Sequence, residues 1–236
     1  MKNKLAIFDI DGTVFRKNLH FELVDELSWR GIFSKDARRA LVKTYSRWLE
    51  HRGTYEDYRK QIVSIYAKEL RGCSQKDIIK ASKKVADFNK DRTYIFAREL
   101  IKKLRREKYV IIAISGSPIE VIKEYNKYLK FDEVFGSVYE TDGRGIYTGK
   151  AIFEPVRHKG HLVGQYISEK NLTLAGSYGI GDTESDVSFL KMVDHPVALN
   201  PNLNLEKVAR RYGWKIIVEK KDVIYDITKF KLISVK

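Results

Sequence analysis

The sequence predicts an α/β protein: a mostly parallel sheet with helices between its strands, interrupted near its start by a bundle of α-helices. Three observations carry this. The chain opens on a short apolar run, "KLAIFDI" at 4–10. Residues 18–90 then show helical periodicity alone, and from residue 91 onward β-branched runs alternate with amphipathic segments.

The first run reads as a buried parallel strand. In the stretch that follows, "HFELVDELSWRGIF", "ARRALVKTYSRWLEHRG", "TYEDYRKQIVSIYAKELRG" and "SQKDIIKASKKVADF" each place apolar residues three and four apart. Gly31, Gly53 and Gly72 fall where these patterns stop, and Ser34, Thr54 and Ser74 stand at N-cap positions. Four helices with no strand between them predict an inserted helical bundle, residues 16–91, in a core made of 1–15 and 92–236. In the core, helix "TYIFARELIKKLRREK" leads to the central strand "YVIIAIS", followed by a helix over 118–129. "EVFGSVYE" and "GIYTG" flank the turn "TDGRG" as a hairpin. A helix near 157–170, the strand "LAGSYGIGD", a helix over 184–192, the strand "PVALN", a helix over 203–212 and the strand "WKIIVE" complete the alternation.

At 236 residues, 43% apolar and 32% charged, the chain is long enough for one sizeable domain with an insert and is not a disordered sequence. No run approaches the roughly 20 apolar residues of a membrane span, and the opening apolar stretch is too short for a signal peptide. One cysteine, Cys73, excludes a disulfide framework and a cysteine zinc site. A cytoplasmic location is expected. The net charge of +14 favours anionic partners in general, but the basic residues are scattered. The densest clusters, "KKLRRE" and "ARRYGWK", read as solvated helix faces and ends, so a nucleic-acid role is not expected and no membrane partner is implied.

Ligands of an open parallel sheet bind beyond the carboxyl ends of its strands. There the sequence places "DIDGT" (9–13), "SGSP" (115–118) and "GDTESD" (181–186), with Lys159 near a helix start. Residues i and i+2 of a strand share a face, so Asp9 and Asp11 point into one crevice. Two carboxylates about 6–7 Å apart repel by roughly 2–3 kcal/mol at an effective dielectric near 20. A divalent cation shared with Asp182 would offset this. Hard oxygens suit Mg²⁺, while a hydroxyl, helix-start N–H groups and an ammonium suit a phosphate.

"DIDGT", "SGSP", Lys159 and "GDTESD" stand in the order of the four motifs of the haloacid-dehalogenase superfamily of phosphohydrolases, which the chain resembles over nearly its whole length. The helical insert and the tail "DHPVALNPNLNLEKVARRYGWKII" resemble that superfamily's phosphoserine-phosphatase-like branch. The resemblance implies a three-layer, Rossmann-like core with a helical cap. It implies Asp9 as nucleophile of an aspartyl-phosphate and Asp11 as general acid, then base. Mg²⁺ would be held by Asp9, the Asp11 carbonyl and Asp182, with Asp186 in support, and Ser115, Gly116 and Lys159 would bind the phosphoryl group. Lys150, in "TGK", competes with Lys159, and Thr13 would cap or orient the turn after Asp11. Gly12 lets that turn be sharp.

The expected substrate is a small phosphorylated metabolite, phosphoserine being the nearest by resemblance. In that branch an early cap Glu binds the substrate amine. Here Asn18 holds that spacing, Glu22 is nearby, and Arg59 is the candidate partner of a substrate carboxylate; "SGSP" also departs from the usual glycine pair. The aromatic stripe Phe21, Trp29, Tyr45, Trp48, Tyr55, Tyr58 and Tyr66 reads as bundle core, with one or two rings turned to substrate. Ser117, before Pro118, reads as a helix cap. "GRGIYTGKA" is superficially like a P-loop, but Ala151 stands where Ser or Thr must be, and His158 and His161 lack a third metal ligand. A phosphotransferase or mutase using the same intermediate, and a basic nucleic-acid-binding protein without catalysis, are the rival readings.

Overall fold

The structure is a computed structural model and describes residues 4–230. Its sheet has eight strands in the order β4-β3-β2-β1-β5-β6-β7-β8. β1 (Lys4–Phe8) lies between β2 (Val110–Pro118) and β5 (Thr173–Gly181), parallel to both, with Phe8 opposite Ala113 on one side and Ile180 on the other. β3 (Glu133–Thr141), β6 (His195–Leu199) and β7 (Lys215–Lys220) extend the parallel part. β4 (Tyr147–Phe153) and β8 (Val223–Asp226) close the edges antiparallel.

Strand residues alternate between two cores, as a period of two requires. Ala6 and Phe8 of β1 face one side; Leu5 and Ile7 face the other. The second side is covered by α7 (Lys159–Lys170), the short α8 (Val187–Leu190) and α9 (Leu203–Tyr212). The first is covered by α5 (Ile95–Arg106) and α6 (Ile119–Leu129) and by the inserted helices. Three layers with a parallel sheet is the architecture the sequence led us to expect.

The insert is four helices: α1 (Leu19–Trp29), α2 (Lys35–Leu49), α3 (Tyr55–Leu70) and α4 (Gln75–Asn89). Ser34 and Ser74 cap α2 and α4, and Thr54 with Asp57 forms a reciprocal capping box on α3. The chain leaves and re-enters the core side by side, with Arg16 N–H donating to the Arg92 carbonyl at 3.0 Å and Tyr94 N–H to that of Val14 at 3.0 Å. The α3–α4 turn is also tied to the β3–β4 hairpin: Gly72 and Tyr147 N–H groups bond across, and Gln75 N–H bonds Gly145.

Three local readings change. β2 runs on through "SGSP", with Pro118 paired to Ser137, so Ser117 is not a helix cap. β8 was not foreseen, because its two-residue turn is Lys221-Asp222, with Lys221 at φ +57°, and not the Asn-Gly or Asp-Gly pair that announces such hairpins. The aromatic stripe is only partly core: Tyr58 and Tyr66 are buried, but Trp29 is 70% exposed and Phe21, Trp48 and Tyr55 are half-buried.

Candidate active site

The carboxyl ends of β2, β1 and β5 lie side by side at the point where the chain winds outward in both directions, the customary crevice of a doubly wound sheet. Asp9 follows β1, its N–H held by the Ile180 carbonyl at 2.9 Å. Asp182 follows β5 and faces it. Gly12, at φ +85°, is required between them: a Cβ there would stand 2.2 Å from Asp182 Oδ2. Thr13, fully buried, donates to Asp182 Oδ1 at 3.2 Å and so orients the carboxylate.

Lys159 enters from the first turn of α7 and is 1% exposed. Its Nζ lies 2.6 Å from both Asp9 Oδ1 and Asp186 Oδ1. Burial opposes its charge, but Asp186 and Asp9 outweigh that and hold it above the ordinary lysine range. Asp186, also fully buried, turns its other oxygen to the N–H groups of Asp182 and Thr183 at 3.1 Å, so it braces the loop and the lysine from behind. Lys150, the competing lysine, is exposed on β4.

Asp11 points the other way. Oδ1 accepts from Leu19 N–H at 2.6 Å, and Oδ2 accepts from the hydroxyls of Ser115 and Ser117 at 2.6 and 2.7 Å. Ser117 in turn accepts from His20 N–H at 3.1 Å. Asp11 thus fastens the first turn of α1 to the end of β2. Burial raises its pKa, and these donors oppose the rise.

A cavity of about 50 Å³ opens among these groups, lined by Asp9, Asp11, Asp182 and Lys159 with Gly116 and Ser117 from the core and Asn18, His20, Tyr55 and Arg59 from the insert. Arg59 is held at its rim by a bidentate pair with Glu56, both contacts 2.7 Å. His20 is 4% exposed and its Nε2 has no partner among the described residues; burial, then the Arg59 charge, pushes it down to about 3. Two expected residues are placed elsewhere. Ser115 is fully buried and directs its hydroxyl to Asp11, not to the cavity. Glu22 lies outside the cavity, paired with Lys17 at 2.9 Å. Sequence reasoning took Ser117 only for a helix cap and did not single out His20; the roles of both depend on how α1 docks against β2.

Burial, then the neighbouring Asp186 and Asp11, pushes Asp9 up to about 8 despite Lys159; burial, then Asp9 and Asp186, raises Asp182 well above the carboxylate range. Four carboxylates against one ammonium is an anionic excess that a divalent cation would relieve. No three His, Cys, Asp or Glu side chains converge as a ready-made ligand group among the described residues. Main-chain carbonyls and water would complete the set, the manner in which Mg²⁺ is ordinarily held. The hard-oxygen donors present fit that ion.

Residues 6–191 match the model of the haloacid dehalogenase-like hydrolases. The chain belongs to that family. It is therefore an enzyme, a hydrolase, as its four motifs led us to expect. Among relatives of this haloacid dehalogenase-like hydrolase, a histidinol-phosphatase of Neisseria meningitidis is 26% identical over 231 residues, covering 92% of this chain and 99% of its own. A phosphoserine phosphatase of Mycobacterium tuberculosis is 28% identical over 128 residues, 53% of this chain and 41% of its own. A Bordetella pertussis protein of unknown function has the same fold with TM-score 0.73 and 21% identity, covering 92% of this chain and 98% of its own. A phosphoserine phosphatase solved as a phospho-aspartyl intermediate analogue gives TM-score 0.62 and 21% identity, with 94% and 96% covered.

Proposed function

We propose that this hydrolase cleaves the phosphate monoester of a small metabolite through an aspartyl-phosphate on Asp9. The carrying observation is the pinned, buried carboxylate: Lys159 holds Asp9 Oδ1 at 2.6 Å, which leaves Oδ2 to attack phosphorus. As the bond from Asp9 oxygen to phosphorus forms, the bond from phosphorus to the ester oxygen breaks, and Asp11 gives that oxygen its proton. Water then attacks the same phosphorus, Asp11 takes the water's proton, and inorganic phosphate leaves as the Asp9 carboxylate is restored. Asp11 must turn from its present donors to do this.

Lys159 and the Gly116 N–H would bind the phosphoryl oxygens, whereas Ser115 acts through Asp11. Asp9, Asp182 and the Asp11 carbonyl would hold Mg²⁺, with Asp186 behind them. Bound there, it supplies neutralisation of the phosphoryl oxygens. We assign residues 16–91 as a cap that excludes bulk water and shapes the leaving-group side, and 1–15 with 92–236 as the catalytic core. The names of the relatives, a histidinol-phosphatase and phosphoserine phosphatases, support a small phosphorylated metabolite, phosphoserine among the candidates.

The test is release of inorganic phosphate from alkyl and aryl phosphates. Activity should require Mg²⁺, vanish with EDTA and return with excess metal, and Asp9→Asn should be inactive. Turnover that survives exhaustive chelation would remove the metal from the reading, and turnover in Asp9→Asn would remove the intermediate.

A further inference from the structure

A second, larger hollow adjoins the catalytic cavity. The cavity, about 50 Å³, has room for a phosphoryl group and little more. The hollow measures about 430 Å³, within the range of small-molecule sites. Asn18, Tyr55, Asp182 and Thr183 border both, so the two lie side by side. A substrate larger than phosphate must extend beyond the first.

The walls of the hollow are rings: Phe21, Tyr45, Trp48, Tyr55 and Tyr58 from the insert, and Tyr94 from the core. They brace one another. Trp48 stacks on Tyr58 with centroids 5.7 Å apart at 11°, and Tyr45 bridges Phe21 and Tyr58 at 5.3 and 5.5 Å. Such a slot is ordered before anything enters, so a flat ring gains contact at little entropic cost.

Two polar groups on the wall narrow the occupant. Glu22 faces the hollow, but Lys17 compensates its charge at 2.9 Å, so this carboxylate is not free to select for an ammonium. Asn200 is the reverse case. Its Oδ1 accepts from Glu219 N–H at 2.8 Å, while its buried Nδ2 has no partner among the described residues. A buried donor without an acceptor is unfavourable.

We infer that the hollow receives the leaving alcohol of the substrate, and that this alcohol carries a planar ring with a hydrogen-bond acceptor on its edge. The inference rests on the monoesterase reading above. The ring packs against Trp48 and Tyr58, its acceptor takes the Asn200 Nδ2 donor, and the linker to the ester passes between Asn18 and Tyr55.

Three esters of similar leaving-group acidity test it: butyl phosphate, 2-phenylethyl phosphate and 2-(pyridin-3-yl)ethyl phosphate. The value of kcat/KM should rise in that order, the pyridyl ester exceeding butyl at least tenfold. Trp48→Ala should collapse the advantage of both ring esters over butyl. Asn200→Asp, which keeps an acceptor for Glu219 and removes the donor, should erase only the pyridyl advantage over phenyl. Trp29→Ala, 70% exposed and outside the hollow, should change none of these ratios. Separately, 2-(pyridin-3-yl)ethanol should quench Trp48 fluorescence when Trp29 and Trp214 are replaced by Phe. Hydrolysis of all three within twofold, with ratios untouched by Trp48→Ala, overturns the inference and leaves the hydrolase intact. No phosphate release from any ester, with Trp48 still quenched, keeps the ring site and overturns the hydrolase reading.

Discussion

Asp9 and Asp11 stand on one turn, yet their surroundings prepare them for different work. Asp9 is met by an ammonium at 2.6 Å, and Asp11 by two hydroxyls and a helix N–H. Asp9→Asn should therefore leave no acid-stable covalent phosphate in a quench experiment. Asp11→Asn should lower turnover of alkyl phosphates by about 10²–10⁴, the usual worth of proton transfer, and damage nitrophenyl phosphates much less, because that leaving group departs without a proton. Equal losses on both ester types would show that Asp11 transfers no proton. His20 supports a second prediction. Its folded pKa lies near 3, below the ordinary 6.5, so between those values the unfolded chain binds a proton that the folded one refuses. Stability should thus fall as pH drops from about 6.5 towards 3, by up to roughly 1.4 kcal/mol per pH unit from this residue. Urea midpoints of the wild type and His20→Gln, measured over that window, should differ in just this slope. The convergence of Asp9, Asp11, Asp182 and Lys159 was legible in the sequence because each sits at a strand or helix end whose position the hydrophobic pattern fixes. His20 and Ser117 were not: their hydrogen bond joins residues 97 apart in sequence, and nothing local to either marks the other.

Element boundaries followed the caps. Ser34, Thr54 and Ser74 make the side-chain bonds their positions imply, so α2, α3 and α4 were readable one by one. What no local signal could reveal is how the insert is fastened to the hairpin of β3 and β4. Gly149 shows the closeness of that joint. It adopts φ +85°, and a Cβ on it would stand 2.9 Å from the Ala67 carbonyl of α3 and 3.2 Å from Arg71 Cβ. Gly149→Ala would face both a strained backbone and a clash with main chain that cannot move aside cheaply. A loss of about 1–3 kcal/mol in a urea titration is expected. The exposed Gly143, at the tip of the same hairpin with open space around it, should accept Ala with little change. The aromatic stripe shows the limit of periodicity in another way. Helical spacing brought Phe21, Trp48 and Tyr58 to one side of the bundle, but spacing does not distinguish a side that meets the core from one that borders a hollow.

For the whole molecule, the insert is sequence-distinct but not physically separate. Leu23, Tyr58, Ile62, Tyr66, Ile78 and Val85 of its helices belong to the same continuous core as Phe8, Ala113, Ile180 and Leu199 of the sheet. A cap that moved as a free body would carry its own core and touch the sheet through a thin polar interface. Here, removing the insert would expose the apolar face of the sheet. The arrangement predicts one unfolding transition. The three tryptophans make this measurable: Trp48 reports on the insert, stacked on Tyr58, and Trp214 on the opposite layer, 7% exposed under α9. Two variants, each with Trp29 and one of these replaced by Phe, isolate the two reporters. In urea both should give the same midpoint and the same slope with denaturant, the signature of a two-state loss of structure. An earlier, shallower transition at Trp48 would mean that the helices melt from the sheet alone, and the shared core would then contribute less to the joint than its burial indicates.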